Sequence, residues 1–187
     1  MRSVLSLSLA AMLAAGTVRA DEVTDTLQSA LESYEAGDVA YALEELAYAQ
    51  QLMMAMKADG LAAFLPPAPD GWTMEINTEM NAAMAMMGGG TGAEGRYTNG
   101  SDSFTITLTA DSPMVGMFAG MFGNAAMLAA GGAKTIRVGR ERFMDQDGQL
   151  TGLIENRILV QANGASVDTM LPLIESMDFR ELARFGN

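Results

Sequence analysis

The sequence predicts an α+β protein, in which an N-terminal helical hairpin is followed by an antiparallel sheet with packed helices. Three observations support this prediction. Apolar residues recur at spacings of three and four between positions 27 and 53, which is typical of amphipathic helices. Apolar residues alternate with threonine from 104 to 109, which indicates a strand with one buried face. Short apolar runs separated by Gly, Asn and Asp after position 134 indicate further strands joined by tight turns.

Residues 1–20 are predicted to be a secretory signal peptide. Arg2 supplies a positive start, an apolar stretch follows, and Ala20 is the small residue before the expected cleavage site. We therefore expect a periplasmic or secreted protein. The alternative is that this apolar segment stays attached as an anchor. Because no cysteine adjoins the cleavage site, we expect no lipid anchor and no stable membrane anchor in the mature protein.

Residues 21–60 are predicted to form two antiparallel helices. Gly37 permits a left-handed turn and Asp38 is suited to cap a second helix that begins at about Val39. The stripe of the first helix comprises Leu27, Ala30, Leu31 and Tyr34. The second helix is predicted to turn inward Ala42, Leu43, Leu46, Ala49 and Met53, with Glu44 and Glu45 outward.

The hairpin resembles a single tetratricopeptide unit. The match consists of Tyr34, Gly37-Asp38, Ala42, Leu46 and Ala49. This resemblance implies protein binding, and the candidate partner-binding residues are Tyr34, Tyr41 and Tyr48. A solenoid of such units needs about three repeats to bury a continuous core. We therefore expect this lone hairpin either to pack on the following domain or to serve in dimerisation and docking.

Residues 61–71 are predicted to be a Pro-rich linker, because three prolines there enforce extended backbone. The α+β domain is expected to span 72–187, with Trp72 buried at its start. Asn99-Gly100 is a strong hairpin signal between the first two strands. The expected strands are 95–98, 103–110, 135–138, 142–144, 150–155 and 158–162. The expected helices are a short one ending at Gly88, one from Ser112-Pro113 to about Ala130, and 166–177.

This order of elements resembles the PsbP-type α/β/α sandwich. The Pro-rich, Gly-Trp junction also resembles that of an uncharacterised family of exported bacterial proteins. The resemblance spans about residues 72–179. It implies an accessory, assembly or binding role, and it assigns no ligand residues to this chain.

Charge and composition exclude several function classes. The net charge is −12, and loss of residues 1–20 removes two arginines and makes it −14. Such a surface repels phosphate backbones, so we expect no nucleic-acid binding. The chain has no cysteine and no histidine, which excludes thiol nucleophiles, Ser-His-Asp triads and zinc sites built on those residues. Carboxylates remain for an enzyme, and Asp111, Asp145 and Asp147 are the obvious candidates.

Seventeen methionines are the most unusual feature of the composition. Six of them occur at helical spacing in two groups, Met80, Met84 and Met87, and Met114, Met117 and Met121. Thioethers are soft ligands that select Cu(I), so converging sulfurs would form a Cu(I) or Ag(I) site. Methionine is also an adaptable filler of cores and apolar grooves. The spacing is compatible with both interpretations, and packing is the favoured one.

Several other patterns have structural explanations. Asp145-Gln146-Asp147-Gly148 lacks the spacing of a calcium loop and is predicted to be a hairpin turn. The Gly88–Gly92 run lacks the Lys and Ser or Thr of a phosphate-binding loop. Arg140 and Arg142 are predicted to share a strand face in the basic cluster with Lys134 and Arg137. The uncharged run 112–133 is long enough to span a bilayer, but we expect a helix buried on the sheet.

The sequence thus favours an exported, soluble, non-enzymatic envelope protein that binds a protein partner or an apolar ligand and needs no cofactor. Two alternatives remain open, a Met-based Cu(I)- or Ag(I)-binding protein and a carboxylate-dependent enzyme.

Overall fold

The computed structural model of the protein describes residues 14–86, 88–100, 102–122 and 134–186. It confirms the α+β class, with a helical pair followed by a seven-stranded antiparallel sheet. The chain divides into two compact units, with the boundary after Met56. We refer to these as the N-terminal unit and the C-terminal unit.

Two helices make up the N-terminal unit. Helix α1 spans Ala14–Glu35, and α2 spans Val39–Ala62, so α2 continues beyond the boundary. The predicted break between them is confirmed. Gly37 adopts a left-handed φ of 86°, and the Asp38 carboxylate accepts a hydrogen bond from the backbone N–H of Tyr41 (3.1 Å). The carboxylate therefore satisfies one of the backbone donors left free at the start of α2.

Seven strands and four further described helices make up the C-terminal unit, together with the end of α2. The strands are β1 Thr73–Asn77, β2 Thr91–Asn99, β3 Asp102–Ala110, β4 Lys134–Val138, β5 Glu141–Gln146, β6 Gln149–Ile154 and β7 Ile158–Asn163. The helices are α3 Met80–Met86, α4 Pro113–Phe122, α5 Val167–Glu175 and α6 Phe179–Leu182. The strand order across the sheet is β1-β2-β3-β7-β6-β5-β4, and all six pairings are antiparallel.

Tight turns join the strands of the β4–β7 half of the sheet. Asp147 and Gly148 both have positive φ between β5 and β6, as do Glu155 and Asn156 between β6 and β7. Two successive positive φ values are typical of the type I′ turn, whose twist matches that of the flanking strands. The hairpin turn predicted at Asp147-Gly148 is confirmed, and the Asp145 carboxylate reinforces it by accepting from the Gly148 N–H (3.1 Å).

One face of the sheet carries the main core of the C-terminal unit. The register places Tyr97 opposite Phe104, and Leu108 opposite Val160, on this face. Helices α5 and α6 cover it with Met170, Ile174 and Leu182, which are fully buried. On the other face, α3 contacts β2, and α4 contacts β6 and β7. Helices therefore pack on both faces of the sheet.

The segment predicted as a linker contributes to this core. Leu61, Ala62 and Leu65 are buried within it, and the buried Tyr97 hydroxyl donates to the Pro66 carbonyl (2.6 Å). Trp72 is half-buried, and its ring packs edge-on against Phe104 at 5.1 Å. Residues 61–72 are thus held against the sheet by side-chain packing and by a buried hydrogen bond.

Two details of the sheet differ from the sequence prediction. β1 was not predicted, and it pairs along its whole length with residues 94–98 of an extended β2. The hairpin after β2 is displaced by one residue, because Asn99 is still paired, opposite Asp102. Asn99 therefore belongs to the strand, and Gly100, with φ of 60°, is the first residue of the turn.

Candidate binding surfaces

The helices of the N-terminal unit meet through small side chains. Thr26 and Ala30 are buried in α1, and Ala42 and Ala49 are buried in α2. The two residues of α1 are four positions apart and those of α2 are seven positions apart, so each pair lies on one face of its helix. Small residues allow two helix backbones to approach closely, and the larger apolar side chains are consequently left outside the contact.

This arrangement corrects the predicted inward faces of the hairpin. Ala30, Ala42 and Ala49 are inward as predicted, but Leu43, Leu46 and Met53 are 62%, 48% and 46% exposed. In α1, Ala30 is buried as predicted, but the other residues of the predicted stripe, Leu27, Leu31 and Tyr34, are exposed. The periodicity identified two amphipathic helices, but the alanine stripe, not the leucine stripe, forms their contact.

The exposed apolar residues of both helices lie on the same side of the hairpin. In α1, Leu27 and Leu31 come one residue after the buried Thr26 and Ala30. In α2, Leu43 likewise follows Ala42, and each step is a rotation of about 100° in the same sense. In an antiparallel pair, equal rotations from the contact bring side chains to the same side. We call this side the apolar side. It comprises Leu27, Leu31, Tyr34, Val39, Leu43, Leu46 and Met53.

Hydrogen bonds on the opposite side of the hairpin support this geometry. Tyr41 and Tyr48 come one residue before the buried alanines of α2. The Tyr48 hydroxyl donates to the Glu22 carboxylate of α1 (2.7 Å), and this bond raises the pKa of Tyr48 above its ordinary value. Glu45 of α2 raises the pKa of Tyr41, and Ser29 of α1 partly offsets this rise. The three candidate tyrosines therefore differ in position. Tyr34 lies on the apolar side, Tyr41 and Tyr48 lie on the opposite side, and Tyr48 ties the two helices together.

Charge on the hairpin is of one sign only. Residues 21–56 contain eight carboxylates and no lysine or arginine. Glu22 and Glu45 lie on the tyrosine side, so the hairpin is acidic there and apolar on the side that carries Leu31 and Leu43. An exposed apolar patch bordered by polar residues marks an interaction site more often than a chance feature.

Two of the candidate metal-binding methionines converge. A Cβ built at Gly92 in β2 would lie within 3.0 Å of the sulfur atoms of both Met80 and Met84, so these two thioethers sit side by side over Gly92. Asn81 fixes α3 there, because its side-chain amide donates to the Gly92 carbonyl (2.8 Å) and accepts from the Gly92 N–H (2.7 Å). The absence of a side chain at Gly92 provides the space that the two sulfurs fill.

The remaining candidate methionines are not shown to join this pair. Met114 and Met117 lie on α4 and are 41% and 77% exposed. Met87 lies outside the described residues, as does the side chain of Met121. Across the described part of the chain, no group of three or more Asp and Glu residues is arranged to hold a metal ion.

A cavity of about 840 Å³ opens at the edge of the sheet that is covered by α5 and α6. Three separate parts of the C-terminal unit line it, namely the β4–β5 turn, the β6–β7 turn and the end of α5 with α6. Its apolar lining includes Val138, Met177 and Phe179. Its charged lining comprises Arg140, Arg157, Arg180, Arg184, Glu141, Glu155 and Glu175. Four of the eleven basic residues of the chain therefore meet in one cavity.

One arginine of the cavity is held in place by Asp111. Arg157 Nε donates to the Asp111 carboxylate (3.0 Å), and an Arg157 terminal nitrogen donates to the Phe185 carbonyl (3.2 Å). Lys57 pairs with the same carboxylate (3.3 Å). The Arg157 hydrogen bond, helped by Lys57, lowers the pKa of Asp111. Asp111 thus links the end of β3, the β6–β7 turn and the end of α2, with a left-handed φ of 54°.

The other predicted polar candidates are separated by the fold. The predicted common face of Arg140 and Arg142 is wrong, because Arg140 lies in the β4–β5 turn and Arg142 pairs across the strands with Arg137. Asp145 and Asp147 belong to the β5–β6 hairpin, whereas Asp111 belongs to the network with Arg157 and Lys57. Sequence reasoning missed the cavity because its residues come from segments up to 46 positions apart (138 to 184), with no motif joining them.

Comparisons with known proteins do not assign a family. No protein-family model, curated protein or solved structure matches this chain. Among the described residues, no helix has both the length and the apolar character needed to cross a membrane.

Proposed function

We propose that this protein is an exported, non-enzymatic binding protein, and that the apolar side of its N-terminal hairpin docks a basic amphipathic helix of a partner protein. The observation that carries the proposal is the apolar side itself, where Leu31 and Leu43 are 50% and 62% exposed. Full burial of an exposed leucine contributes about 1.5–3 kcal/mol, so burial of these half-exposed side chains contributes about half of that each. Export follows from the predicted signal peptide at residues 1–20.

The charge of the hairpin selects the kind of partner. A second copy of this chain would bring another eight carboxylates without a single basic residue between 21 and 56. Like charges at an interface oppose association, whereas complementary charges favour encounter and orientation. A helix with leucine-like residues on one face could pack on the apolar side. Lysine or arginine on its other face would be attracted by the carboxylates of the hairpin. Recognition of an amphipathic helix by an apolar surface is a common mode of binding.

A designed helix tests this proposal without knowledge of the natural partner. The probe is a fluorescent 18-residue peptide of leucine and lysine in an amphipathic pattern, titrated into the chain that begins at Asp21. We expect saturable binding that weakens as salt is raised, since exposed charges are screened. The matched peptide with glutamate in place of lysine should bind at least tenfold more weakly.

Substitutions that leave the charge unchanged locate the site. Leu31→Ser with Leu43→Ser should weaken binding at least tenfold, because it removes apolar area from the centre of the apolar side. Gln51→Ser is the matched control on the other side of α2, and it should bind as the original chain does. Equal binding by all three proteins would contradict the proposal. A dimer of the chain that dissociates in the double variant would also contradict it, by assigning the apolar side to a second copy.

A second candidate function is Cu(I) binding at Met80 and Met84, which is favoured by the convergence of their sulfur atoms at Gly92. Two thioethers with one further donor are chemically suited to Cu(I). The test is anaerobic Cu(I) titration in competition with a chromogenic chelator. Binding predicts that the chain withdraws one Cu(I) and that Met80→Leu with Met84→Leu abolishes this. Met53→Leu with Met54→Leu is the control. Failure of the original chain to withdraw Cu(I) from the chelator would end this candidate.

A further inference from the structure

The cavity beneath α5 and α6 contains charges of both signs that do not neutralise each other. Arg140 and Arg180 line it from opposite segments, and neither side chain makes a hydrogen bond or ion pair with any described residue. The same holds for the cavity carboxylates Glu141, Glu155 and Glu175. The unpaired groups of this cavity are therefore available to a ligand.

We propose that this cavity binds short peptides with free termini, by pairing their carboxylate with arginine and their ammonium group with glutamate. A guanidinium group offers a planar fork of donors that matches a carboxylate. A carboxylate, which is an acceptor only, suits the three donors of an ammonium group. A ligand that carries both charges can satisfy both sets of lining groups, whereas a simple anion or cation would satisfy one and be repelled by the other.

The size and floor of the cavity favour a peptide over a single amino acid. Its volume of about 840 Å³ lies near the upper end of the range of about 300–1,000 Å³ that is typical of small-molecule sites. Val138 and Met177 are buried in its wall, and Phe179 packs at 5.7 Å against the buried ring of Phe143. Phe179 is half-buried, and its exposed part provides an apolar surface for a ligand side chain between the two charged ends.

Two structural features position the polar lining. Arg157 is fixed by Asp111 and the Phe185 carbonyl, so its guanidinium group is oriented before any ligand enters. Glu155 has a left-handed φ of 48°, in a turn where asparagine, aspartate or glycine is the usual choice. A glutamate in this conformation is uncommon, and Glu155 is one of the residues that line the cavity. Use of Glu155 as a ligand contact accounts for a residue that the turn itself does not favour.

Calorimetric titration with three forms of one peptide tests the proposal. The probes are Ala-Leu-Ala with free termini, the same peptide with an acetylated N-terminus, and the same peptide with an amidated C-terminus. We expect saturable binding of the free peptide to the intact mature chain, and at least tenfold weaker binding of each blocked form. Free leucine should bind more weakly than the tripeptide.

Variants connect each end of the peptide to its predicted partner. Arg140→Gln with Arg180→Gln should remove the preference for the free carboxylate, so that the amidated and free peptides bind equally. Glu175→Gln and, separately, Glu155→Gln should reduce the preference for the free ammonium group. Arg137→Gln removes the same kind of charge from β4 outside the cavity, and it should preserve both preferences.

The following results would overturn the proposal. One is the absence of saturable binding by the free peptide, and another is equal binding of the free and blocked peptides to the original chain. A third is loss of the carboxylate preference in Arg137→Gln that is as complete as in Arg140→Gln with Arg180→Gln. Tighter binding of leucine than of the tripeptide would likewise overturn the assignment to peptides. The hairpin is not altered in any of these variants, so the outcome is independent of the docking proposal.

Discussion

Replacement of Tyr97 by phenylalanine is expected to destabilise the C-terminal unit by removing one buried hydroxyl. The Tyr97 side chain is fully buried, and its hydroxyl is 2.6 Å from the buried carbonyl of Pro66. Phenylalanine keeps the ring stacked on Phe104 at 4.8 Å but leaves the carbonyl without its donor. An unsatisfied buried acceptor costs about 1–3 kcal/mol. We therefore expect Tyr97→Phe to lower the free energy of unfolding by that amount.

The pH dependence provides a second, independent readout of the same residue. Burial raises the pKa of Tyr97 well above its ordinary value, so the folded protein keeps the proton while an unfolded tyrosine loses it above pH of about 10. The unfolded state then binds fewer protons, and stability falls as pH rises, by at most about 1.4 kcal/mol per pH unit. This loss is absent from Tyr97→Phe. The stability difference between the two proteins should therefore narrow above pH 10.

Urea denaturation at pH 7 and at steps above pH 9.5 measures both effects. Tyr34→Phe is the matched control, because Tyr34 is 65% exposed and should tolerate the change within about 0.5 kcal/mol. The reasoning is refuted if Tyr97→Phe is as stable as the original chain at pH 7. It is also refuted if the difference between the two proteins stays constant as pH rises.

Three further predictions concern the packing and charge of the C-terminal unit. Asp111→Asn keeps a residue that tolerates the left-handed backbone, and should cost less than about 1 kcal/mol at pH 7 because the ion pairs are about one-third exposed. Since pairing lowers the folded-state pKa of Asp111, its contribution is present at neutral pH and is lost as pH falls through that pKa, so acid urea titrations should show the difference vanish. Gly152→Ala would place a methyl group 2.5 Å from the buried Phe143 ring and should lower the free energy of unfolding by about 1–3 kcal/mol. The control is Gly116→Ala, which has open space around it and should not lower the stability measured by thermal unfolding. Gly92→Ala should displace Met80 and Met84, seen as shifts of their methyl NMR signals, and unchanged signals would contradict their placement.

Local patterns in the sequence predicted the elements whose signals are contiguous. The alternation around Phe104, Ile106 and Leu108 predicted β3 correctly, and Asp147-Gly148 predicted the β5–β6 turn. The Gly37-Asp38 break predicted where α1 ends and α2 begins. In each case the physical cause, a buried strand face or a required positive φ, acts within a few residues of chain.

Features that depend on contacts between distant parts of the chain were harder to predict from the sequence. β1 has only Met74 and Ile76 as alternating apolar residues, and it exists as a strand because β2 offers it an unpaired edge. In the hairpin, leucine and alanine stripes have the same period, so hydrophobicity alone favoured Leu43 and Leu46 as the contact. The burial of Ala42 and Ala49, and the exposure of the leucines, show that the alanine stripe forms the contact.

The candidate sites show the same limit. The sequence identified Met80, Met84 and Met87 as a group at helical spacing. The position of Met80 and Met84 over Gly92 follows from the docking of α3 through Asn81. The cavity could not be predicted, because Arg140 and Arg180 are forty residues apart and are brought together only by the packing of α6 on the sheet.

Methyl NMR of the leucines tests the docking proposal most directly, because it reports which side of the hairpin a partner covers. During titration of the leucine-lysine helix into the chain that begins at Asp21, the methyl signals of Leu27, Leu31, Leu43 and Leu46 are predicted to shift with a common saturation point. Those of the buried Leu108 and Leu159 should remain in place. Shifts confined to other residues, or saturation without any shift on the apolar side, would contradict the account.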